Sequence, residues 1–177
     1  MVPFFVVLGM LVLFGLLIGY SYSTLMSRRL KCRDAWAELE THLKRRYSVV
    51  PTLLETLSSY VSLEKQRLDR LAKARERAMA TETVQEQAAA EDELTEALDD
   101  AFELVDKYPD LRANATLVQL EEELTSAENK ITFAKQQYNN AVAGYNTARH
   151  RFPSSMAAKL FKMDEMAFFE IRDVGHA

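Results

Sequence analysis

Residues Leu117 to Phe152 carry apolar or aromatic side chains at Leu117, Leu120, Leu124, Ala127, Ile131, Ala134, Tyr138, Ala141, Tyr145, Ala148 and Phe152. The steps alternate three and four without a break. A half-buried strand covers every second residue, whereas a helix laid against other helices covers a seam of this spacing. The stretch therefore predicts one helix of about 54 Å. A seam that long must be covered by other parts of the chain. With only 5 Gly and 4 Pro in 177 residues, the other segments also favour long helices. The predicted fold class is all-α: an N-terminal transmembrane helix continuing into an antiparallel four-helix-type bundle with long helices.

Val2 to Tyr20 is almost wholly apolar, and no ionisable side chain occurs before Arg28. A helix of that length spans the hydrocarbon of a bilayer. A cleaved signal peptide is the rival reading, but positive side chains ahead of the apolar run and a small-x-small cleavage site are both missing. Residues 1–21 are therefore read as an uncleaved anchor and 22–177 as the helical domain. Arg28, Arg29, Lys31 and Arg33 form a membrane-proximal basic cluster. The positive-inside rule then puts the N-terminus outside and the domain in the cytoplasm, on a bacterial inner membrane. The same four cations suit anionic lipid headgroups. Gly15 and Gly19 make one small-xxx-small pair, a signal for a homo-oligomer.

The anchor is expected to run on without a break. Trp36, Leu39, Leu43, Tyr47, Val50, Leu54, Leu57 and Val61 keep the three-four spacing, and Leu68 and Leu71 extend it toward Ala78. Pro51 lies inside this helix and predicts a kink near Tyr47–Pro51. A second helix is expected over Val84–Lys107, with Thr81 or Thr83 at its start; Thr83 and Glu86 have capping-box spacing. Pro109 ends it, and Asp110 or Asn114 caps the long third helix. After Phe152-Pro153 a last helix is expected from Met156 to about Ile171. Short antiparallel connections place Phe152 away from the membrane, so this last segment should cover the far end of the third helix. An interfacial membrane helix is the alternative.

Charge is unevenly placed. Residues 20–77 hold 13 Lys/Arg against 7 Asp/Glu, residues 78–128 hold 2 against 15, and residues 129–177 hold 7 against 4. An acidic middle between basic arms favours intramolecular pairing and argues against nucleic acid as a partner. The single cysteine, Cys32, has no disulfide mate in the chain. Nucleotide-loop, zincin and nucleophile-elbow motifs are absent from the sequence, and no cofactor is expected. Asp34, Glu38 and His42 lie four apart on one helical face, which reads either as a cryptic metal site or as solvent-facing polar pairs. Lys44, Arg45 and Arg46, together with Phe168 and Phe169, are the candidate partner contacts. Glu128, Asn129, Tyr138, Asn139, Tyr145 and Asn146 are the candidate polar network, with one of Glu128 and Asn129 expected to be partly buried. The two Tyr-Asn pairs read either as core aromatics with boundary amides or as a polar network joining the third helix to the first.

Several of these motifs together resemble the LemA family of bacterial membrane proteins. The resemblance rests on Ala35-Trp36, on His42-Leu43-Lys44-Arg45-Arg46 followed by Val50-Pro51, and on Tyr108-Pro109-Asp110-Leu111-Arg112-Ala113-Asn114. It continues through Leu120 to Ile131 with Glu128-Asn129, the pairs Tyr138-Asn139 and Tyr145-Asn146, and Phe152-Pro153 followed by Phe168-Phe169-Glu170. The chain departs from the family pattern at His42, Ser48, Thr52, Ser126, Ala127 and Ser155. The resemblance implies an N-terminal membrane helix, a four-helix-type domain and no established reaction. The leading expectation is a membrane-anchored scaffold or protein-interaction module without catalytic activity, bound to an unidentified membrane or cytoplasmic protein. A membrane-stress sensor or regulator of a protease is the second reading. A magnetosome membrane protein also looks like this family, which implies an organelle role as a third.

Overall fold

A computed structural model describes residues 2–60 and 64–170, with side chains from residue 4 onward. Val61, Ile171 and His176 lie outside the described residues. Among the described residues the chain is all-α, without strands: α1 Val2–Tyr60, α2 Lys65–Met79, α3 Val84–Lys107, α4 Pro109–Arg112, α5 Ala115–His150 and α6 Ser154–Leu160. The apolar run and the first bundle helix are one element, as their continuous periodicity predicts. An 18-residue window of α1 has a mean hydropathy of 2.4 and is 6% buried. By length and composition it can cross a membrane.

Helical backbone continues through Pro51. Proline has no N–H to give the carbonyl four residues earlier, which here is Tyr47. Arg75 Nε on α2 donates to that carbonyl at 2.9 Å. The acceptor that proline strands inside the helix is thus satisfied from a neighbouring one.

The first bundle helix does not reach Ala78. It ends at Tyr60, and α2 begins at Lys65. The spacing that runs through Leu57 and Val61 calls next for an apolar residue at 64 or 65, and the chain has Glu64 and Lys65 there. A charged pair at the seam position cannot be buried cheaply. Glu64 instead meets Arg67 at 3.6 Å and Lys107 at 3.7 Å.

The described residues divide into two compact units, residues 2–37 with 136–168, and residues 38–60 and 64–135 with 169–170. In the second unit α2 and α3 form an antiparallel hairpin. Leu68, Leu71, Ala74 and Ala78 are buried on α2, and Leu94, Ala97, Leu98, Ala101 and Leu104 on α3. Across the hairpin the basic residues of α2 meet the acids of α3: Arg70 with Glu96 at 2.9 Å and with Asp100, Arg77 with Glu93 at 2.7 Å, Arg67 with Glu103 at 3.5 Å. These exposed pairs are each worth at most about 1 kcal/mol and serve mainly to select which faces meet.

Thr83 caps α3. Its hydroxyl accepts from the Glu86 amide at 3.2 Å, while the Glu86 carboxylate accepts from the Thr83 amide at 3.2 Å. Thr83→Ala should lower the stability of this hairpin by about 1 kcal/mol, read as a shift in the urea midpoint in detergent; an unchanged midpoint would mean that other contacts hold the helix start. Asn114 caps α5, its side-chain oxygen accepting from the amides of Thr116 at 2.9 Å and Leu117 at 3.3 Å.

In the first unit α5 runs antiparallel to α1. Arg28 Nη1 donates to the Gly144 carbonyl at 3.3 Å, and further along Trp36 meets Tyr138 edge-on with ring centroids 5.3 Å apart. A Cβ on Gly144 would lie 3.3 Å from that Arg28 nitrogen, so the glycine admits the arginine. The expected placement of Phe152 is therefore corrected. The end of α5 lies beside the residues that follow the apolar run, and the Phe161 ring is 4.5 Å from that of Tyr22. The reason is parity: α2 runs back along α1, with its Arg75 meeting Tyr47, one reversal that a helix continuous to Ala78 would lack.

The last helix is also shorter than expected. α6 has 7 residues and closes with Lys162 in the left-handed region at φ 49°. Met163 N–H then reaches back to the Ala158 carbonyl at 2.9 Å, the return bond of a left-handed helix end. Residues 163–170 follow as a non-helical strap. The segment after Pro153 does cover part of α5, but as irregular chain.

Candidate functional site

Three groupings of polar side chains stand out. The first is a buried ionic node in the second unit. Arg46 is 5% exposed and Glu91 2% exposed. Arg46 lies one residue before Tyr47 on α1, at the edge of the seam, and α3 supplies its counter-charge. Arg46 Nη2 is bonded to the Glu91 carboxylate and donates to the Glu91 carbonyl at 3.2 Å, and Nη1 donates to the Thr95 hydroxyl at 3.1 Å. The Tyr47 hydroxyl donates to the other oxygen of Glu91. Gln87 Nε2 donates to the Tyr47 hydroxyl and to Glu91, both at 2.9 Å, and to the Ala78 carbonyl at 3.1 Å. Burial, and then the Glu91 charge, hold the Tyr47 hydroxyl well above the ordinary tyrosine range, so it remains a donor. The node ties α1, the α2 end and α3 into one register.

The second grouping is a clamp on the strap, in the first unit. The Tyr138 hydroxyl donates to the Ala167 carbonyl at 2.9 Å and the Tyr145 hydroxyl to the Asp164 carbonyl at 3.0 Å. Asn146 gives its amide N–H to the Met166 carbonyl at 2.9 Å and takes the Met166 N–H at 3.1 Å. Arg149 Nε donates to the Met163 carbonyl at 2.6 Å, and its Nη1 lies 3.1 Å from Glu165. All four α5 side chains thus hold strap backbone. Burial, joined at Tyr138 by the charge of Cys32, pushes the Tyr138 hydroxyl up to about 12; burial also raises Tyr145 against the pull of Arg29 and Arg149. Both remain protonated donors near neutral pH. Cys32 is buried, and burial pushes its thiol up, which suits packing rather than reactivity.

The third is a groove of about 790 Å³ between α1 and α5 in the second unit, lined by Glu38, His42, Glu121, Glu122, Thr125, Ser126, Asn129, Lys130 and Phe133. Phe133 is 57% exposed. Glu38, Glu121 and Glu122 make no ion pair among the described residues.

The sequence-selected residues fall differently from expectation. Lys44 and Arg45 are exposed, with Lys44 beside Glu40 at 2.8 Å, but Arg46 belongs to the buried node and is withdrawn from the surface. Phe169 is fully buried and Phe168 partly exposed, so this pair too is split. Glu128 and Asn129 are both exposed, against the expected partial burial, because they lie just past Ala127, off the buried line of Leu124, Ala127 and Ile131. Tyr138, Tyr145 and Asn146 form a polar network with the strap, and among the described residues none of their hydrogen bonds goes to α1; Asn139 is half-buried. Arg28, Arg29, Lys31 and Arg33 are all exposed. Glu38 and His42 share the groove, but Asp34 does not line it. Among the described residues no group of three or more His, Cys, Asp or Glu is placed to hold a metal ion. Sequence reasoning missed Glu91 and Gln87. Their only signal was a carboxylate and an amide four apart on the alanine-rich face of α3.

An N-terminal apolar helix of membrane-crossing length and a compact helical core, with polar groups that tie helices and strap together, define a membrane-associated, largely helical protein. The chain belongs to the LemA family, whose model matches residues 35–177. It is also similar to Protein LemA of Metamycoplasma hominis, with 23% identity over 155 residues, covering 85% of this chain and 69% of that protein.

Proposed function

We propose that the chain is a single-pass membrane protein that works by holding another protein rather than by turning over a substrate. Residues 1–21 act as the anchor and residues 22–177 as the helical domain. Arg28, Arg29, Lys31 and Arg33, exposed just after the apolar run, favour a cytoplasmic domain on a bacterial inner membrane.

The observation that carries this reading is the α1–α5 groove. It joins an exposed aromatic, Phe133, to three carboxylates, Glu38, Glu121 and Glu122, that have no ion-pair partner among the described residues. Four of the nine acids of α3, by contrast, are paired with α2. An amphipathic helix with a basic flank would cover Phe133 and pair with these acids.

A photoreactive phenylalanine analogue at position 133 should give a discrete adduct in cells. The adduct should be lost in Glu121→Lys/Glu122→Lys while helicity is unchanged. Adducts only from analogues at Lys44 and Arg45 would move the contact to that exposed basic pair, and adducts from neither would end the reading. In the same cells a cysteine at position 133 should react with a permeant thiol reagent and not with an impermeant one; the reverse would invert the topology.

A further inference from the structure

We infer that α6 and its flanks are a second membrane contact: an interfacial face that lies on anionic phospholipid beside the anchor. This rests on the reading of residues 2–20 as the membrane span. α6 is amphipathic in an unusual sense. Its buried side holds the small residues Ala157 and Ala158, while Met156 and Leu160 face outward, Leu160 at 65% exposure. Phe152 before it is 76% exposed, and Phe161 after it is also exposed. A surface helix in water normally has the opposite arrangement. Large apolar side chains turned outward from a small-residue face fit a helix whose outer medium is the lipid interface.

Position in the chain identifies that medium. Phe161 rests on Tyr22 with ring centroids 4.5 Å apart, two residues past the apolar run. Tyr22 lies about 3 Å and Thr24 about 6 Å of helix past Tyr20, within the headgroup region of about 5–8 Å on one side of a bilayer. Both α6 and the cleft beside it are therefore at headgroup level.

Charge agrees. The cleft, of about 470 Å³, is lined by Arg28 and Arg151 with the hydroxyls of Thr24, Thr147 and Ser154, and no carboxylate lines it. Neither arginine makes an ion pair among the described residues. Lys159 and Lys162 are exposed on α6 and at its end. Of the nearby acids, Glu165 is occupied by Arg149 and His150, leaving Asp164 exposed. Guanidinium pairs with adjacent hydroxyls match the phosphodiester of an acidic lipid.

The test uses the full chain in nanodiscs of phosphatidylcholine, with or without phosphatidylglycerol. An environment-sensitive dye is placed on Leu160→Cys, and in a parallel sample on Leu11→Cys; unsubstituted protein, with Cys32 buried, sets the background. The Leu160 dye should be quenched by lipid-borne quenchers and shielded from iodide, more so with phosphatidylglycerol. Arg28→Ala and Arg151→Ala should each reduce the phosphatidylglycerol-dependent gain by about fivefold. A Leu160 dye quenched by iodide and not by lipid, while the Leu11 dye is lipid-quenched, overturns the inference and leaves the anchor standing. Equal quenching in both lipid mixtures overturns the assignment to anionic lipid. A Leu11 dye that lipid does not quench overturns the anchor and this inference together.

Discussion

Glu91→Ala is expected to destabilise the unit built on α2 and α3 by about 3–5 kcal/mol. The effect comes from what the substitution leaves behind. Arg46 is buried and charged, its Nε already has no hydrogen-bond partner among the described residues, and the loss of Glu91 removes the one acid that ion-pairs with it among them. Tyr47 and Gln87 lose their shared acceptor at the same time. Arg46→Met alone should also be destabilising, because it strands the Glu91 carboxylate. Arg46→Met/Glu91→Leu should be less costly than either single change, since a neutral apolar pair leaves no buried charge. Denaturant unfolding in detergent, followed by circular dichroism, provides the comparison. If Glu91→Ala cost less than about 1 kcal/mol, a surface-pair value, Arg46 would have to reach solvent, and the node would not set helix register.

The second large effect is expected from Tyr145→Ala, at about 3–5 kcal/mol for loss of a fully buried aromatic side chain. Tyr145 is fully buried in the first unit and its hydroxyl holds the Asp164 carbonyl. Tyr145→Phe keeps the ring and removes one hydrogen bond, so it should cost only about 1 kcal/mol. The two variants separate packing from clamping. Hydrogen exchange should accelerate across residues 163–168 in Tyr145→Ala. In Tyr145→Phe the change should be small, because Tyr138, Asn146 and Arg149 still hold the strap. Equal acceleration in the two variants would mean that the hydroxyl bond, and not the ring, docks the strap. Asn146 is the informative neighbour, since it reads both the N–H and the C=O of Met166. A clamp made through backbone groups constrains the path of the strap more than its side chains.

Much of the fold is written in local patterns. α3 spans Val84–Lys107 and starts on the Thr83–Glu86 box, because caps and prolines act within a turn of where they stand. α5 has the 36 residues that its seam requires, shifted by two. Most of that seam is buried, but Val142 takes the place of Ala141, and Phe152 lies at the surface. The drift is that of a 3.6-residue helix against a 3.5-residue repeat. The break between α1 and α2 had a signal in Glu64-Lys65, obscured by the good helix-forming residues that follow it from Gln66 to Ala74. That one missed reversal reversed the placement of the α5 end, and with it the surroundings of α6.

By itself, the sequence determined that this protein is all-α, that its N-terminal helix is apolar enough to cross a membrane, and where α3 and α5 start and stop to within two residues. Those properties follow from side-chain periodicity and from capping, interactions between residues a few positions apart. The tertiary structure alone decided that Arg46 is buried rather than offered to a partner, that Tyr138, Tyr145 and Asn146 hold an irregular strap, and that the end of α5 returns to the residues that follow the apolar run. Each depends on a group supplied from far along the chain: Glu91 for Arg46, Met166 for Asn146, Tyr22 for Phe161. A charged or amide side chain on a helix carries no mark of which distant group will satisfy it. That is fixed only when the helices have packed and burial makes an unsatisfied polar group costly.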